Sequence, residues 1–268
     1  MLFRFIRFLA ALVPLALALS NAAGAAEPTL ELDLGGVPQL LTRDALLQRP
    51  ELRRIRIPDD VAYGGPRQYL ALPLAALLPE AGSATVQFTA RDGFVATIPG
   101  KLLASAGQPW LAIEPAAAPW PPLKPGGASA GPFYLVWKAP RKAGVSPEQW
   151  PYQIAKISEA LPLQQRYPQI RPHGNDPLVL RGLDVYAQNC AACHRINGGG
   201  DAAVGPDLNR PFNPTEYFRE PFLRRLIRDP AAVRNWDQRR MPGFPRTVLA
   251  DADLDALIAY LRQMASQR

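Results

Sequence analysis

Apolar residues recur with helical spacing through the last third of the chain. Three helices are predicted there, over Pro177 to Asn189, Glu220 to Arg228 and Asp251 to Ala265. Their apolar positions are Leu180, Leu183, Val185 and Tyr186 in the first, Phe222, Leu223, Leu226 and Ile227 in the second, and Leu254, Leu257, Ile258, Tyr260 and Leu261 in the third. Because Gly182 lies one turn before Tyr186, we predict that the first and last helices cross closely at that glycine.

Short apolar runs separated by turn residues fill the part of the chain before Ala160. Strands are predicted at Thr29 to Leu34, Arg53 to Ile57, Thr85 to Thr89, Val95 to Ile98 and Phe133 to Trp137. Short helices are predicted at Thr42 to Gln48, with Thr42 as the N-cap, and at Pro73 to Leu78. This region is therefore expected to be a mixed α/β, sheet-rich domain, whereas the C-terminal region is expected to be all-α.

Composition divides the chain into four segments. Residues 161–176 carry several prolines among Gln, Arg and Gly, which predicts a linker that is either extended or laid flat against one domain. This linker separates a domain over residues 27–160 from one over residues 177–268. Residues 1–26 have two arginines, an apolar run and a small-residue end, which predicts a cleaved signal peptide and no membrane span afterwards.

The sequence CAACH at residues 190–194 contains both cysteines of the chain and one of its two histidines. Two thiols spaced three residues apart can bond to the two vinyl groups of haem, while the adjacent histidine ligates the iron. A zinc site would need further soft ligands, which the chain lacks, and a redox disulfide would not need His194. We therefore predict that Cys190 and Cys193 covalently attach one haem c and that His194 is an axial ligand. Export to the periplasm agrees with this cofactor, because bacterial c-type haem is attached outside the inner membrane.

Residues 180–265 resemble class I cytochrome c. The resemblance rests on GLDVYAQNCAACH, GPDL at 205–208, DP at 229–230, MPGF at 241–244 and LDALIAYLR, in the order found in that family. It implies a c-type cytochrome domain in which the Pro206 carbonyl accepts a hydrogen bond from His194 and Met241 is the sixth iron ligand. The scarcity of other ligands agrees with this role for Met241, because Met264 lies near the end of the last helix, where core packing explains it. His173 is the alternative sixth ligand.

Charge limits the classes of partner. The formal net charge of +7 falls by two when Arg4 and Arg7 leave with the signal peptide, and aromatic residues do not alternate with basic runs, so nucleic acid is not an expected partner. Arginines nonetheless flank Met241: Arg219, Arg224, Arg225, Arg228, Arg234, Arg239, Arg240 and Arg246. They form either a docking surface for an acidic redox protein or a solvated face paired with Glu216, Glu220, Asp229 and Asp237. The oligomeric state is not predicted.

Residues 38–140 resemble the molybdopterin-binding domain of the sulfite oxidase type. The resemblance rests on the order of LTRDALLQRPELRRIRI, YLALPLAALLP, VQFTARDGFVATIPGKLL and GPFYLVW. Active members of that family ligate molybdenum through a cysteine, and this domain contains none. Its tryptophans, Trp110, Trp120, Trp137 and Trp150, serve either as core packing or as a partner surface.

Two functions agree with these observations. The first is an exported mono-haem electron carrier whose N-terminal domain docks a redox partner. The second is a haem subunit or component of a molybdopterin-dependent, sulfite-type dehydrogenase. We favour the first, because the N-terminal domain has no cysteine and the chain has no nucleophile elbow, P-loop or dinucleotide motif.

Overall fold

The computed structural model describes residues 27–35, 37–202, 204–234 and 241–268. The predicted signal peptide and the arginines Arg239 and Arg240, together with Asp237, lie outside these ranges. Within them, no helix is both long enough and apolar enough to cross a lipid bilayer.

The N-terminal region consists of two sheets with short helices between the strands. Its elements are β1 Thr29–Asp33, β2 Gln39–Thr42, α1 Arg43–Leu47, β3 Arg53–Asp60, β4 Gly65–Pro73, α2 Leu74–Leu77, β5 Thr85–Ala90, β6 Val95–Pro99, α3 Gly100–Leu103, β7 Pro109–Ile113, β8 Phe133–Trp137 and β9 Ile154–Ala160, with 3₁₀ turns at Pro140–Ala143 and Pro147–Gln149. One sheet has the strand order β2-β1-β9-β5-β6 and the other β3-β4-β7-β8. In the first sheet β9 runs parallel to β1 and antiparallel to β5.

All five predicted strands are present, and four further strands, β2, β4, β7 and β9, were not predicted. The expected alternation is clear in β5, whose residues are alternately partly exposed and buried. Strand β8 differs, because all five of its residues are buried and it therefore reads as a continuous apolar run. The predicted cap is confirmed, since the Thr42 hydroxyl accepts a hydrogen bond from the backbone N–H of Ala45 at 3.1 Å.

The four tryptophans of this region take part in core packing. Trp137 and Trp150 are buried, and Trp110 and Trp120 lie partly buried against the same core. The indole N–H of Trp137 donates to the carbonyl of Gln149 at 2.7 Å, which satisfies its buried polar atom. This arrangement favours the packing interpretation over an exposed partner surface.

The C-terminal region is helical. Its elements are α4 Leu163–Arg166, a 3₁₀ turn at Pro168–Ile170, α5 Pro177–Asn189, α6 Pro214–Tyr217, α7 Glu220–Arg228, α8 Pro230–Val233 and α9 Asp251–Ala265. The three predicted helices are confirmed with the predicted bounds. Two of their apolar positions were wrongly placed, because Leu180 is 39% exposed and Phe222 is 53% exposed. Val179 takes the place of Leu180 on the buried face of α5.

Helices α5 and α9 cross at Gly182, as predicted. A Cβ atom at this position would lie 2.5 Å from the Cβ of Tyr260 and would overlap the carbonyl oxygen of Ala256. Only glycine lets the two backbones approach so closely. Tyr186 and Tyr260 pack beside this contact with their ring centroids 5.7 Å apart.

The predicted linker lies against the C-terminal helices. Leu163 and Ile170 are buried in the same core as α5 and α9. The hydroxyl of Tyr260 donates to the carbonyl of Ile170 at 2.7 Å. These contacts leave Leu161 and Pro162 as the exposed connection between the sheet-rich and helical regions.

We expect the substitution Gly182→Ala to lower the free energy of unfolding by about 1–3 kcal/mol, because the added methyl group overpacks the helix crossing. Urea denaturation of the purified protein would measure this change. The control is Gln188→Ala, which also places alanine in α5 but at an exposed position. Equal stability of the wild type and Gly182→Ala would contradict the close contact.

Candidate functional site

The C-terminal end of α5 positions the two thiols. The helix ends at Asn189, and the backbone N–H of Cys190 donates to the carbonyl of Tyr186 at 2.9 Å. The chain then makes a tight turn, in which the N–H groups of Cys193 and His194 donate to the Cys190 carbonyl at 3.0 and 2.9 Å. Both thiols and the His194 imidazole therefore belong to one turn, as covalent attachment of a haem requires.

His194 is oriented by the hydrogen bond that the resemblance to cytochrome c implied. Its Nδ1 lies 2.8 Å from the carbonyl oxygen of Pro206. Because a carbonyl only accepts, the ring proton belongs on Nδ1, which leaves the Nε2 lone pair available for a metal. Burial lowers the pKa of His194, and the hydrogen bond to Pro206 only partly opposes this, so the neutral imidazole is favoured.

The loop that carries Pro206 is held close to the histidine. A Cβ atom on Gly205 would lie 2.6 Å from Nδ1 of His194, so only glycine allows the backbone to pack against the ring. The N–H of Gly205 donates to the carbonyl of Cys193 at 2.8 Å. Asp207 closes the loop, because its carboxylate accepts hydrogen bonds from the backbone N–H groups of Gly198 at 2.7 Å, Asn209 at 2.8 Å and Arg210 at 2.9 Å.

Three buried asparagines connect this loop to the end of α9. The side-chain amides of Asn197, Asn209 and Asn213 donate to the carbonyls of Gln267, Met264 and Leu261 at 2.7, 2.7 and 2.8 Å. The amide of Asn209 also donates to Asn197, and that of Asn213 to Asn209, both at 2.8 Å. Sequence analysis missed this ladder. The only signal was the presence of three asparagines in a loop, which turn formation explains equally well.

The segment that begins at Met241 is fixed to α7. The N–H of Phe244 donates to the carbonyl of Ile227 at 3.0 Å, and the guanidinium of Arg228 donates to the carbonyls of Phe244, at 2.9 Å, and Leu249. Met241 is partly buried and packs against the core of the helical region. Of the other candidate ligands, Met264 is fully buried within that core and His173 is exposed.

Several of the arginines near Met241 are paired. Arg224 forms ion pairs with Glu220 at 2.7 Å and with Asp255 at 2.6 Å, while Arg228 and Arg246 both reach Asp251 at 2.8 Å. Of the expected acids, Glu220 pairs with an arginine of this set, Arg224. Glu216 instead pairs with Arg268, and the Asp229 carboxylate accepts from the N–H of Ala232 in α8 at 3.3 Å. The side chains of Arg219 and Arg225 are exposed.

The sheet-rich region packs directly on the turn of residues 190–194, the predicted haem-attachment turn. Ala191 and Ala192, between the two cysteines, are each 7% exposed, and the N–H of Val95 in β6 donates to the carbonyl of Ala192 at 3.4 Å. A second contact centres on Asp201, whose carboxylate accepts from the Gln87 amide at 2.6 Å and the Tyr167 hydroxyl at 2.8 Å, and pairs with Arg166. The N-terminal region is therefore part of the surroundings of the site.

A helix pair that holds a CXXCH turn, with the histidine bound to a proline carbonyl, is the arrangement of a c-type haem protein. The comparisons agree: residues 179–265 match the family model of cytochrome c. The C-terminal region is thus a cytochrome c domain, a class that carries covalently bound haem c and serves in electron transfer.

The remaining comparisons say little about the N-terminal region. One solved structure that matches is the sulfane dehydrogenase SoxCD from Paracoccus pantotrophus, at 17% sequence identity and a TM-score of 0.36. The match covers 49% of this chain and 38% of that one, so this chain spans about two fifths of its length. At this TM-score the likeness carries no argument about fold or activity. No curated protein matches significantly.

The substitution Asn209→Ala should lower the free energy of unfolding by about 1–3 kcal/mol, because it breaks the ladder and leaves buried polar groups unpaired. Hydrogen exchange of the loop over residues 197–213 would report the loosening directly. Asn175→Ala is the matched control, since Asn175 is exposed. If both variants behave alike, the ladder does not hold the loop.

Proposed function

We propose that this protein is an exported, mono-haem c-type cytochrome that passes single electrons between periplasmic redox partners. The observation that carries the proposal is the orientation of His194, whose Nδ1 is bound to the Pro206 carbonyl at 2.8 Å on the same turn as both thiols. This set of two thiols and one imidazole on one turn suits a haem, because the thiols match its two vinyl groups and the imidazole matches its iron.

Each residue of the site has a distinct role in this proposal. Cys190 and Cys193 would form the thioether bonds to a haem, and His194 would supply Nε2 to its iron. Met241 would supply a thioether sulfur to the iron, on a segment held in place through the hydrogen bonds of Phe244 and Arg228 to neighbouring backbone. Bound haem c would supply a one-electron couple, and histidine with methionine ligation raises its potential and leaves no open position for oxygen or peroxide.

The N-terminal domain serves, in this proposal, as a docking module for a redox partner. It covers the two alanines of the attachment turn, so a partner bound to the N-terminal domain would be held next to the haem site. The exposed Arg219 and Arg225 suit an acidic partner on the Met241 side. The domain resembles the molybdopterin-binding type but has no cysteine to ligate molybdenum.

Location in the periplasm is supported by the signal-peptide pattern of residues 1–26. Cytochrome c domains are typically extracytoplasmic, which agrees with it. The alternative function, a haem component of a molybdopterin-dependent dehydrogenase, shares this location and differs in metal content.

A cofactor inventory tests the proposal. The intact protein, purified from a host that attaches c-type haem, would be assayed for iron and molybdenum, and its oxidised and reduced spectra recorded. One iron per chain, a reversible one-electron couple and no molybdenum are the expected results. Molybdenum at one atom per chain would support the dehydrogenase alternative, and failure to attach haem would refute both functions.

If Met241 ligates the haem iron, two single substitutions should have different outcomes. Met241→Ala should remove the sixth ligand, so the oxidised spectrum changes from low-spin to high-spin and the potential falls. His173→Ala is the matched control and should leave the spectrum and the potential unchanged. The opposite result, with only His173→Ala altering the spectrum, would mean that the haem has two histidine ligands.

A further inference from the structure

A narrow crevice lies between the N-terminal domain and the haem-attachment turn. It is lined by Val95 to Thr97 of β6, by Glu148 and Gln149 of the 3₁₀ turn Pro147–Gln149, and by the end of α5 with Ala191 and Ala192. Its volume of about 10 Å³ is enough for one water at most. The crevice is therefore too small for a ligand, and its chemistry must come from the side chains that line it.

Glu148 is the only ionisable side chain among the residues that line this crevice. Its carboxylate makes no hydrogen bond or ion pair within the described residues, and its lining neighbours Thr97, Gln149 and Gln188 are neutral. Burial raises the pKa of Glu148 to about 7, and no nearby cation lowers it. The residue as a whole is only partly buried, which gives protons a route between the crevice and solvent.

The charged groups on the surrounding elements do not neutralise the negative charge of the Glu148 carboxylate. Arg166 pairs with Asp201, and Arg195 reaches the carbonyl of Asp201. Asp92 before β6 and Asp184 on α5 carry the same sign as Glu148. None of these groups contributes to the pKa of Glu148, for which burial is the only cause.

Glu148 lies within electrostatic reach of a haem attachment atom. Burial raises the pKa of the Cys190 thiol to about 12, and the charge of Glu148 is the next largest contribution to that increase. The same sulfur would form a thioether bond at the edge of the haem. A change in the charge of the haem is therefore felt by a carboxylate that has no counter-ion of its own.

We propose that Glu148 takes up a proton when the haem tethered at Cys190 is reduced. One electron arrives from the redox partner and converts ferric to ferrous iron, and one proton from solvent bonds to a carboxylate oxygen of Glu148. The added negative charge on the haem is thus balanced by the loss of the negative charge on Glu148. This inference rests on the proposed electron-transfer function and adds to it a specific proton-binding residue.

Charge repulsion determines whether the reduction potential rises or falls as the pH increases. Ferrous haem carries one positive charge fewer than ferric haem, so Glu148 binds its proton more tightly in the reduced protein. At low pH Glu148 is neutral in both states and the potential is high. As the pH rises through the neutral range, Glu148 ionises first in the ferric protein, so the potential falls.

Potentiometric titration of the intact haem protein between about pH 5 and about pH 9 tests this coupling, since the range brackets a carboxyl group shifted to neutrality. Proton binding to Glu148 should be on the order of threefold to tenfold tighter in the ferrous state. For one electron this corresponds to a total fall in potential of about 30–60 mV, at 59 mV for each factor of ten.

Two variants separate Glu148 from other titrating groups. Glu148→Gln keeps the shape of the side chain but cannot ionise, so it should match the wild-type potential at low pH, remain above it at high pH and lose this component of the pH dependence. Glu80→Gln makes the same charge change at an exposed position and should follow the wild type throughout. Any pH dependence from the haem propionates is shared by all three proteins and cancels in the comparison.

A spectroscopic measurement identifies the protonated group directly. Reduced-minus-oxidised infrared difference spectra near neutral pH should show a carboxylic acid C=O band in the wild type that is missing from Glu148→Gln. A reversible couple with equal pH dependence in the wild type and Glu148→Gln, and no such band, would overturn the inference while leaving the proposed function intact. Absence of any reversible haem couple would overturn both.

Discussion

The contact between α5 and α9 at Gly182 is the constraint on which the haem site depends. Because the backbones touch there, the direction of α5 is fixed, and so is the position of the turn that begins at Cys190. The same contact places the end of α9 beside the loop that contains Asn197, Asn209 and Asn213, whose amides bind its carbonyls. Through that loop the crossing also positions Pro206. The thiols and the orientation of His194 are thus set by one pair of helices.

The two halves of the site differ in how they are held. On the histidine side, buried hydrogen bonds between side chains and backbone fix the loop within the helical domain. On the side of Ala191 and Ala192, the cover comes from the separate sheet-rich region, through the backbone of Val95 and through the amide of Gln87, which donates to Asp201. The first arrangement belongs to the cytochrome domain alone. The second makes the properties of the site depend on the N-terminal region, which gives a physical reason for joining the two in one chain.

The extent to which the sequence predicted the structure differs between the two regions. The bounds of α5, α7 and α9 were correct, because a strong apolar period coincides with prolines at the first turn of α5 and α7 and acidic residues at the start of α9. Strands β4 and β7 were missed because prolines obscure the pattern near both ends of β4 and at the start of β7, and β9 was missed because it contains two alanines and charged residues. The asparagine ladder and the covering of the attachment turn join residues distant in sequence, and no local pattern encodes such contacts.

A carboxyl group without a partner is an unusual choice for a crevice of this kind. Since the pKa of Glu148 is raised in the folded protein, the native state binds its proton more tightly than the unfolded chain does. Its contribution to stability is therefore greatest below the unfolded pKa, declines as the pH rises, and is lost above the folded value near neutrality. A glutamine at this position would fill the same volume without this loss of stability at high pH. Unpaired buried carboxyl groups tend to occur where they perform a function. Glu148, whose pKa is raised to about 7 and whose charge acts on Cys190, is suited to respond to the charge of the proposed haem.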